Sequence, residues 1–183
     1  MKTQDKLLDW AIEIQSLAQA GLTYGKDKFD LMRYERLRDI SAEMIAERAD
    51  ISIEKVKELF CNESGYQTPK VDTRAAVFNG GKILLVVKET REEAGLTVKP
   101  ELLIAVQDRC KHNKPNYAYG VIKHFVLCSL VGGEFVPNIE TTGIGWFAEE
   151  ELPDSLATAK NTREQISMCF RANEAEHWVT QFD

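Results

Sequence analysis

The residues best suited to chemistry are three carboxylates in one short run. In VVKETREEAGL, residues 86–96, Glu89, Glu92 and Glu93 stand at i, i+3 and i+4. That spacing sets all three on one face of a helix, and Gly95 suits the left-handed position that closes it. Like charges so placed cost a helix about a few tenths of a kcal/mol. A compensating charge is expected, either solvent with Lys88 and Arg91 or a divalent cation. Hard oxygen donors suit Mg2+ or Mn2+, which bridge carboxylates to substrate phosphates. Periodicity alone favours a solvated, glutamate-rich helix face.

Other side chains have the right chemistry for a phosphorylated ligand. Arg74 and Arg109 offer forked guanidinium groups that can pair with phosphate or form ordinary surface ion pairs. The polar stretch DRCKHNKPNYAYG brings Tyr117, Tyr119 and His112 together in sequence; they can stack on a base, bind a second moiety or cap a packed surface. His124 alternates along YGVIKHFVLCSL as a strand residue, and Trp146 and Phe147 read as core.

The elements that must position these groups change character once. Residues 1–66 read as a helical module. Leu7, Ala11, Ile14, Leu17 and Ala18 recur on what is expected to be one buried face, with Gly21 as the stop. A second helix carries Phe29, Met32, Leu37, Ile40 and Met44 on one stripe. A third starts at Ser52, with Glu54 in its first turn and Ile53, Val56, Leu59 and Phe60 turned inward. The boundary stretch NESGYQTP is rich in turn formers.

From 67 to 183 the pattern is that of an α/β domain with a mixed sheet. VDTRAAVF and KILLVV flank Asn79-Gly80-Gly81 as a hairpin. Further strands are expected at Leu102–Val106, Tyr119–Val131 and Ile144–Phe147, and a closing helix from Asn161 to Trp178.

The 183 residues carry 23 Lys and Arg against 29 Asp and Glu, a net charge of −6 with the histidines neutral. The acidic excess divides evenly on either side of Pro69. A nucleic-acid partner is not expected, because phosphate neutralisation needs a basic face. MKTQDKLLDW lacks the apolar core of a signal peptide and no apolar run approaches membrane-spanning length, so a cytoplasmic protein with no membrane partner is expected. Cys61, Cys110, Cys128 and Cys169 show neither metal-ligand nor disulfide-framework spacing and read as structural thiols.

The run Lys88-Glu89-Thr90-Arg91-Glu92-Glu93-Ala94-Gly95-Leu96 resembles the second half of the signature of the Nudix hydrolases, G-x5-E-x7-R-E-x-x-E-E-x-G followed by an apolar residue. Lys88 stands for the usual arginine and Thr90 for an aliphatic residue. KTQDKLLDWA, TPKVDTRAAVF, IETTGIGWFAEEELP and AKNTREQI are similar to a bacterial subgroup with an N-terminal helical domain. The resemblance covers nearly the whole chain. It implies an α/β/α sandwich behind a small all-helical module, a homodimer, and Mg2+ or Mn2+ held by Glu89, Glu92 and Glu93. It further implies Glu93 or Glu140 as catalytic base and Arg74, Arg109 and Tyr117 as substrate contacts. The activity it implies is hydrolysis of the pyrophosphate bond in nucleoside diphosphate derivatives, CDP-choline first and ADP-ribose second.

The first half of the signature is absent. Its glycine and first glutamate fall on Arg74 and Gly80. KILLVV also runs into KETREEAGL without one turn former, whereas such connections take about 2–6 residues. Either the written sequence leaves out a loop between Val86 and Val87 or the chain is truly shortened. Omission is favoured, because a deletion leaves a poorly nucleated helix of roughly two turns hanging from a strand end. A Val86–Val87 Cα separation well above ~3.8 Å would show it. A real deletion favours the alternative, a non-catalytic nucleotide-binding or interaction protein. A DNA-binding regulator built on the helical module is weakest, given the acidic balance.

Overall fold

In the computed structural model, residues 6–86, 96–115, 117, 119–133 and 144–183 are described. Glu89, Glu92, Glu93, Glu140 and the Val86–Val87 junction fall outside the described residues. The chain forms two compact units. One runs up to Lys70 and takes in Tyr117–Gly120; the other is Val71–Asn116 with Val121–Asp183.

The first unit holds α1 (Lys6–Tyr24), α2 (Lys28–Ala49) and α3 (Ile53–Phe60). Asp27 caps α2 by accepting from the Phe29 and Asp30 amides at 2.9 and 3.1 Å, and Ser52 caps α3 through the Lys55 amide at 3.4 Å, as Ser52 was expected to do. The buried faces differ from the expected ones. On α1 the residues turned inward are Ala11, Gln15, Ala18 and Gln19, while Leu7 and Leu17 are 54% and 62% exposed. The two amides explain the rotation. Gln15 donates to the Phe60 carbonyl at 2.9 Å and Gln19 to the Gly65 carbonyl at 3.0 Å, so the inward face satisfies the end of α3 and the turn beyond it.

On α2 the inward residues are Ser41, Ala42 and Ile45, and Phe29 and Met32 face solvent. Leu59 of α3 is exposed while Val56 and Phe60 are buried. Gly21 does not stop α1. It lets Tyr34 of α2 lie against the helix, since a Cβ there would sit 2.5 Å from the ring; the helix ends three residues on at Tyr24, and the Gly25 amide beyond it donates to the Gly21 carbonyl at 2.8 Å.

The second unit is built on a six-stranded sheet of order β5-β2-β1-β4-β3-β6. Its strands are β1 (Lys70–Asn79), β2 (Lys82–Val86), β3 (Leu96–Asp108), β4 (Val121–Gly133), β5 (Ile144–Phe147) and β6 (Gln181–Phe182). The β1–β2 hairpin closes with Asn79 opposite Lys82, and Gly80 and Gly81 take φ of 56° and 76°, the left-handed turn that suits strand twist. β2 pairs antiparallel with β5, and β3 with β4 through three register shifts. β6, not anticipated from sequence, adds parallel to β3 and makes the sheet mixed.

Two helices complete this unit, α4 (Arg109–His112) and α5 (Arg163–Glu174). The latter is shorter than the expected Asn161–Trp178, because Ala175 leaves helical geometry and Trp178 donates to the Ile104 carbonyl at 2.9 Å. Ile166, Met168, Cys169 and Phe170 join Ala76, Ile83, Ile104 and Phe125 in the core, with the Phe170 ring edge-on to Phe78 at 5.1 Å. Burial pushes the Cys169 thiol up to about 12, so it is a packing residue at neutral pH. All four cysteines are free.

Candidate active site

The carboxylates expected from the sequence to form the site, Glu89, Glu92, Glu93 and Glu140, lie outside the described residues. As a donor set the first three are all hard oxygen and suit Mg2+ or Mn2+. Among the described residues no cluster of three His, Cys, Asp or Glu side chains could hold a metal ion.

Arg74 points from the same face of β1 as Asp72, two residues before it. Its Nε and one terminal nitrogen donate to a single oxygen of Asp72 at 3.1 and 2.9 Å. The pair is about one-quarter exposed, so Asp72 orients a guanidinium that remains within reach of solvent.

Arg109 opens α4 and is 2% exposed. It donates to the Pro115 carbonyl at 2.7 Å and to the Ala159 carbonyl at 3.0 Å. A buried guanidinium needs such partners; here they tie the 113–115 turn to the segment that precedes α5.

Tyr117 and Tyr119 belong to the first unit. Their rings stand 5.5 Å apart, tilted by 45°, and the Lys70 ammonium lies 4.9 Å from the centre of the Tyr119 ring. The Lys70 amide donates to the Gly120 carbonyl at 2.9 Å, which fixes the two tyrosines beside the end of the helical unit. His112 contacts Asp183 rather than joining the tyrosines. Asp183 also accepts from the Asp108 amide at 2.8 Å. Burial opposes ionisation of Asp183, but that amide, His112 and Lys111 together bring its carboxyl below the usual aspartate value. His124 lies in β4 opposite Val106, Trp146 lies in β5 opposite Leu84, and Phe147 packs on the core.

A buried polar layer was missed by the sequence reading. Gln165, in the first turn of α5, donates to Gln107 at 2.9 Å and Asn113 at 3.1 Å. It accepts from the Thr162 amide at 2.9 Å and from the Asn113 amide group at 3.1 Å. Beside it Lys123, wholly buried in β4, donates to the Lys160 carbonyl and to Asn161, with its ammonium 5.3 Å from the Phe125 ring centre. Among the described residues no buried side-chain polar atom lacks a partner. The one sequence signal was AKNTREQI, whose Thr162 and Gln165 have capping-box spacing. The layer holds the segment 157–162 against β3 and β4.

Comparison with known proteins settles the family. A family model described as a UDP-X-like N-terminal oligomerisation domain matches residues 5–60. The chain is 38% identical to YjhB of Bacillus subtilis (strain 168), provisionally named an ADP-ribose pyrophosphatase, over 93% of each protein. A crystal structure of an ADP-ribose pyrophosphatase from Streptococcus suis 89-1591 is 41% identical, with a TM-score of 0.55 over 63% of this chain and all of that one. A UDP-X diphosphatase structure is 26% identical, with a TM-score of 0.56 over 96% of this chain and 98% of the other. With the α/β fold, the carboxylate run and a relative of this identity along nearly the whole chain, this protein belongs to the Nudix hydrolase family, as a pyrophosphohydrolase with an N-terminal oligomerisation domain.

Proposed function

We propose that the enzyme cleaves the diphosphate of a nucleoside diphosphate joined to a second moiety, releasing a nucleoside monophosphate and the phosphorylated partner. The observation that carries this reading is the Glu89, Glu92, Glu93 and Gly95 run in a chain 38% identical to YjhB. Glu89, Glu92 and Glu93 would hold Mg2+ or Mn2+, and the cation, when bound, supplies neutralisation of the phosphoryl oxygens. Glu93 or Glu140 takes the proton of the attacking water as its oxygen bonds to phosphorus and the bridging P–O bond breaks. Arg74, oriented by Asp72, pairs with the diphosphate, and Tyr117 offers its ring to the base. Arg109 serves the site by holding the 113–115 turn rather than by touching substrate.

ADP-ribose is proposed ahead of CDP-choline, a reading supported by two relatives that bear the name ADP-ribose pyrophosphatase. A UDP-linked substrate comes next, from the UDP-X diphosphatase. The oligomerisation domain supports a homodimer. Among the described residues no helix is long and apolar enough to cross a membrane, and a cytoplasmic enzyme is proposed. The test is release of AMP, CMP or UMP from the three substrates with and without Mg2+. Glu92→Gln should lower the rate at least about 100-fold with an unchanged melting profile, the scale for losing a group that acts on developing charge; wild-type turnover by that variant would refute the carboxylate assignment.

One observation favours a second reading, nucleotide binding without turnover. The alignment to YjhB extends over 195 positions, more than the 183 residues here, so the relative carries residues with no counterpart in this chain; the first half of the signature is missing from the same sequence. ADP-ribose binding with no AMP released, by protein whose intact mass equals that of the sequence, would select this reading.

A further inference from the structure

The helical unit contains a cleft of about 270 Å3 lined by Gln19, Leu22, Thr23, Arg38, Glu63 and Ser64, a volume near the lower end for small-ligand pockets. Its walls are α1, α2 and the turn that follows α3. That turn is fixed from α1. The Gly65 amide donates to the Thr23 hydroxyl at 2.7 Å, that hydroxyl donates to the Gln19 carbonyl at 2.9 Å, and the Gln19 side chain donates to the Gly65 carbonyl at 3.0 Å. The cleft is therefore built into one compact unit.

Its hydrogen-bonding groups are only partly used. Three arginines among the described residues are buried or half-buried, Arg38, Arg74 and Arg109. Arg74 is held by Asp72 and Arg109 by two backbone carbonyls, whereas the Arg38 guanidinium makes no hydrogen bond or ion pair with any described residue. The acid beside it in sequence, Asp39, is engaged by Lys57 at 2.7 Å. A guanidinium drawn partly out of water without a partner is costly, and an oxyanion matches its forked donors. Ser64 adds a hydroxyl that bonds to no other described residue. Acceptors are present as well. Glu63 uses one carboxylate oxygen on the Lys70 ammonium at 3.2 Å and keeps the other, and Thr23, its proton committed, keeps an acceptor lone pair.

We propose that this cleft binds a phosphate monoester of a small hydroxylated molecule, of sugar-phosphate size, with the phosphate on Arg38 and Ser64 and the hydroxyls on Glu63 and Thr23. Charge selects this class over simpler ligands. A bare anion meets Arg38 but is repelled by Glu63, and a neutral sugar leaves Arg38 unpaired; a ligand with one anionic and one hydroxylated end satisfies both. Leu22 faces its carbon skeleton. The site includes none of the residues assigned to the reaction and does not depend on that assignment.

The probe is ribose 5-phosphate, titrated into full-length isotope-labelled protein and followed at the Thr23, Ser64 and Gly65 amides by NMR. Only these amides are read, so binding elsewhere in the protein does not register. They should shift saturably, with a dissociation constant of about 1 mM or tighter, while ribose should leave them in place and inorganic phosphate should bind more weakly. Arg38→Gln should weaken binding at least about 10-fold, the scale for a hydrogen bond to a charged group. Ser64→Ala, at an exposed position, should also weaken it and serves if Arg38→Gln disturbs the fold. Glu63→Ala should shrink the preference for ribose 5-phosphate over inorganic phosphate. No shift at these amides in the parent, or parental affinity in Arg38→Gln and Ser64→Ala, would overturn the site. Inorganic phosphate binding as tightly as ribose 5-phosphate would overturn the ligand class.

Discussion

Replacing Gln165 by leucine should cost the second unit about 3–7 kcal/mol before relaxation, a sum worked from its four hydrogen bonds. Gln165 is 2% exposed, and its side chain fills all four of its hydrogen-bonding positions, with Gln107, with Thr162 and twice with Asn113. Leucine has similar volume, so little cavity forms; the cost comes from the groups left behind. The Gln107 and Asn113 carbonyl oxygens each lose a donor in a buried setting, at about 1–3 kcal/mol apiece before relaxation. The Thr162 amide loses its partner in the capping box, about 1 kcal/mol more. The Asn113 amide group keeps the Thr158 carbonyl at 2.9 Å and adds little. For a protein of this size the total corresponds to a melting shift of roughly 10 °C. Urea unfolding followed by tryptophan emission reads it, because Trp178 is anchored to the second unit. A shift below about 1 kcal/mol, the scale of an ordinary surface substitution, would refute the view that this layer holds the segment before α5.

Arg109→Ala should lower stability by about 2–4 kcal/mol, since it orphans two carbonyls and opens a buried space; full stability with lost ADP-ribose affinity would instead make it a substrate contact. Asp183 has a carboxyl held below its ordinary value of 3.8. Its anchoring is therefore complete above that value and fades as pH falls through the lower folded one; Asp183→Asn should remove this acid-side loss, as followed by hydrogen exchange at the Asp108 amide. Gly21→Ala opposes a helix-propensity gain of about 1 kcal/mol to a Cβ placed 2.5 Å from the Tyr34 ring. Overpacking should win, lowering the unfolding midpoint of the helical signal, and a stabilised variant would contradict the close α1–α2 approach.

What the residues disclosed in advance was mostly local. The Asn79-Gly80-Gly81 turn and the Ser52 cap each involve neighbours in sequence, where spacing alone sets geometry. The direction of α1 was misread because periodicity weighs apolar type, and the face turned inward is one of alanines and amides whose partners, Phe60 and Gly65, lie more than forty residues away. Burial of Lys123 and Arg109 was hidden for a related reason: their partners include the Lys160, Pro115 and Ala159 backbone carbonyls, which every residue has and no motif marks. The short strand β6 is legible only once β3 exists for it to join. The glutamate cluster was found by type and spacing, and its family by a resemblance that the relatives then supported.

The assignment of Tyr117–Gly120 to the helical unit has a consequence for biosynthesis. The polypeptide leaves that unit at Lys70, returns at Tyr117 and leaves again after Gly120. On the ribosome the three helices emerge first, yet the Tyr117–Gly120 segment, whose Gly120 carbonyl accepts from the Lys70 amide, is made about fifty residues later, after β1 to β3 have been extruded. The N-terminal unit therefore cannot finish before much of the sheet is available, and the two units mature together instead of in succession. An N-terminal fragment stopping at Lys70 should be correspondingly less protected from protease than the same residues in the whole chain.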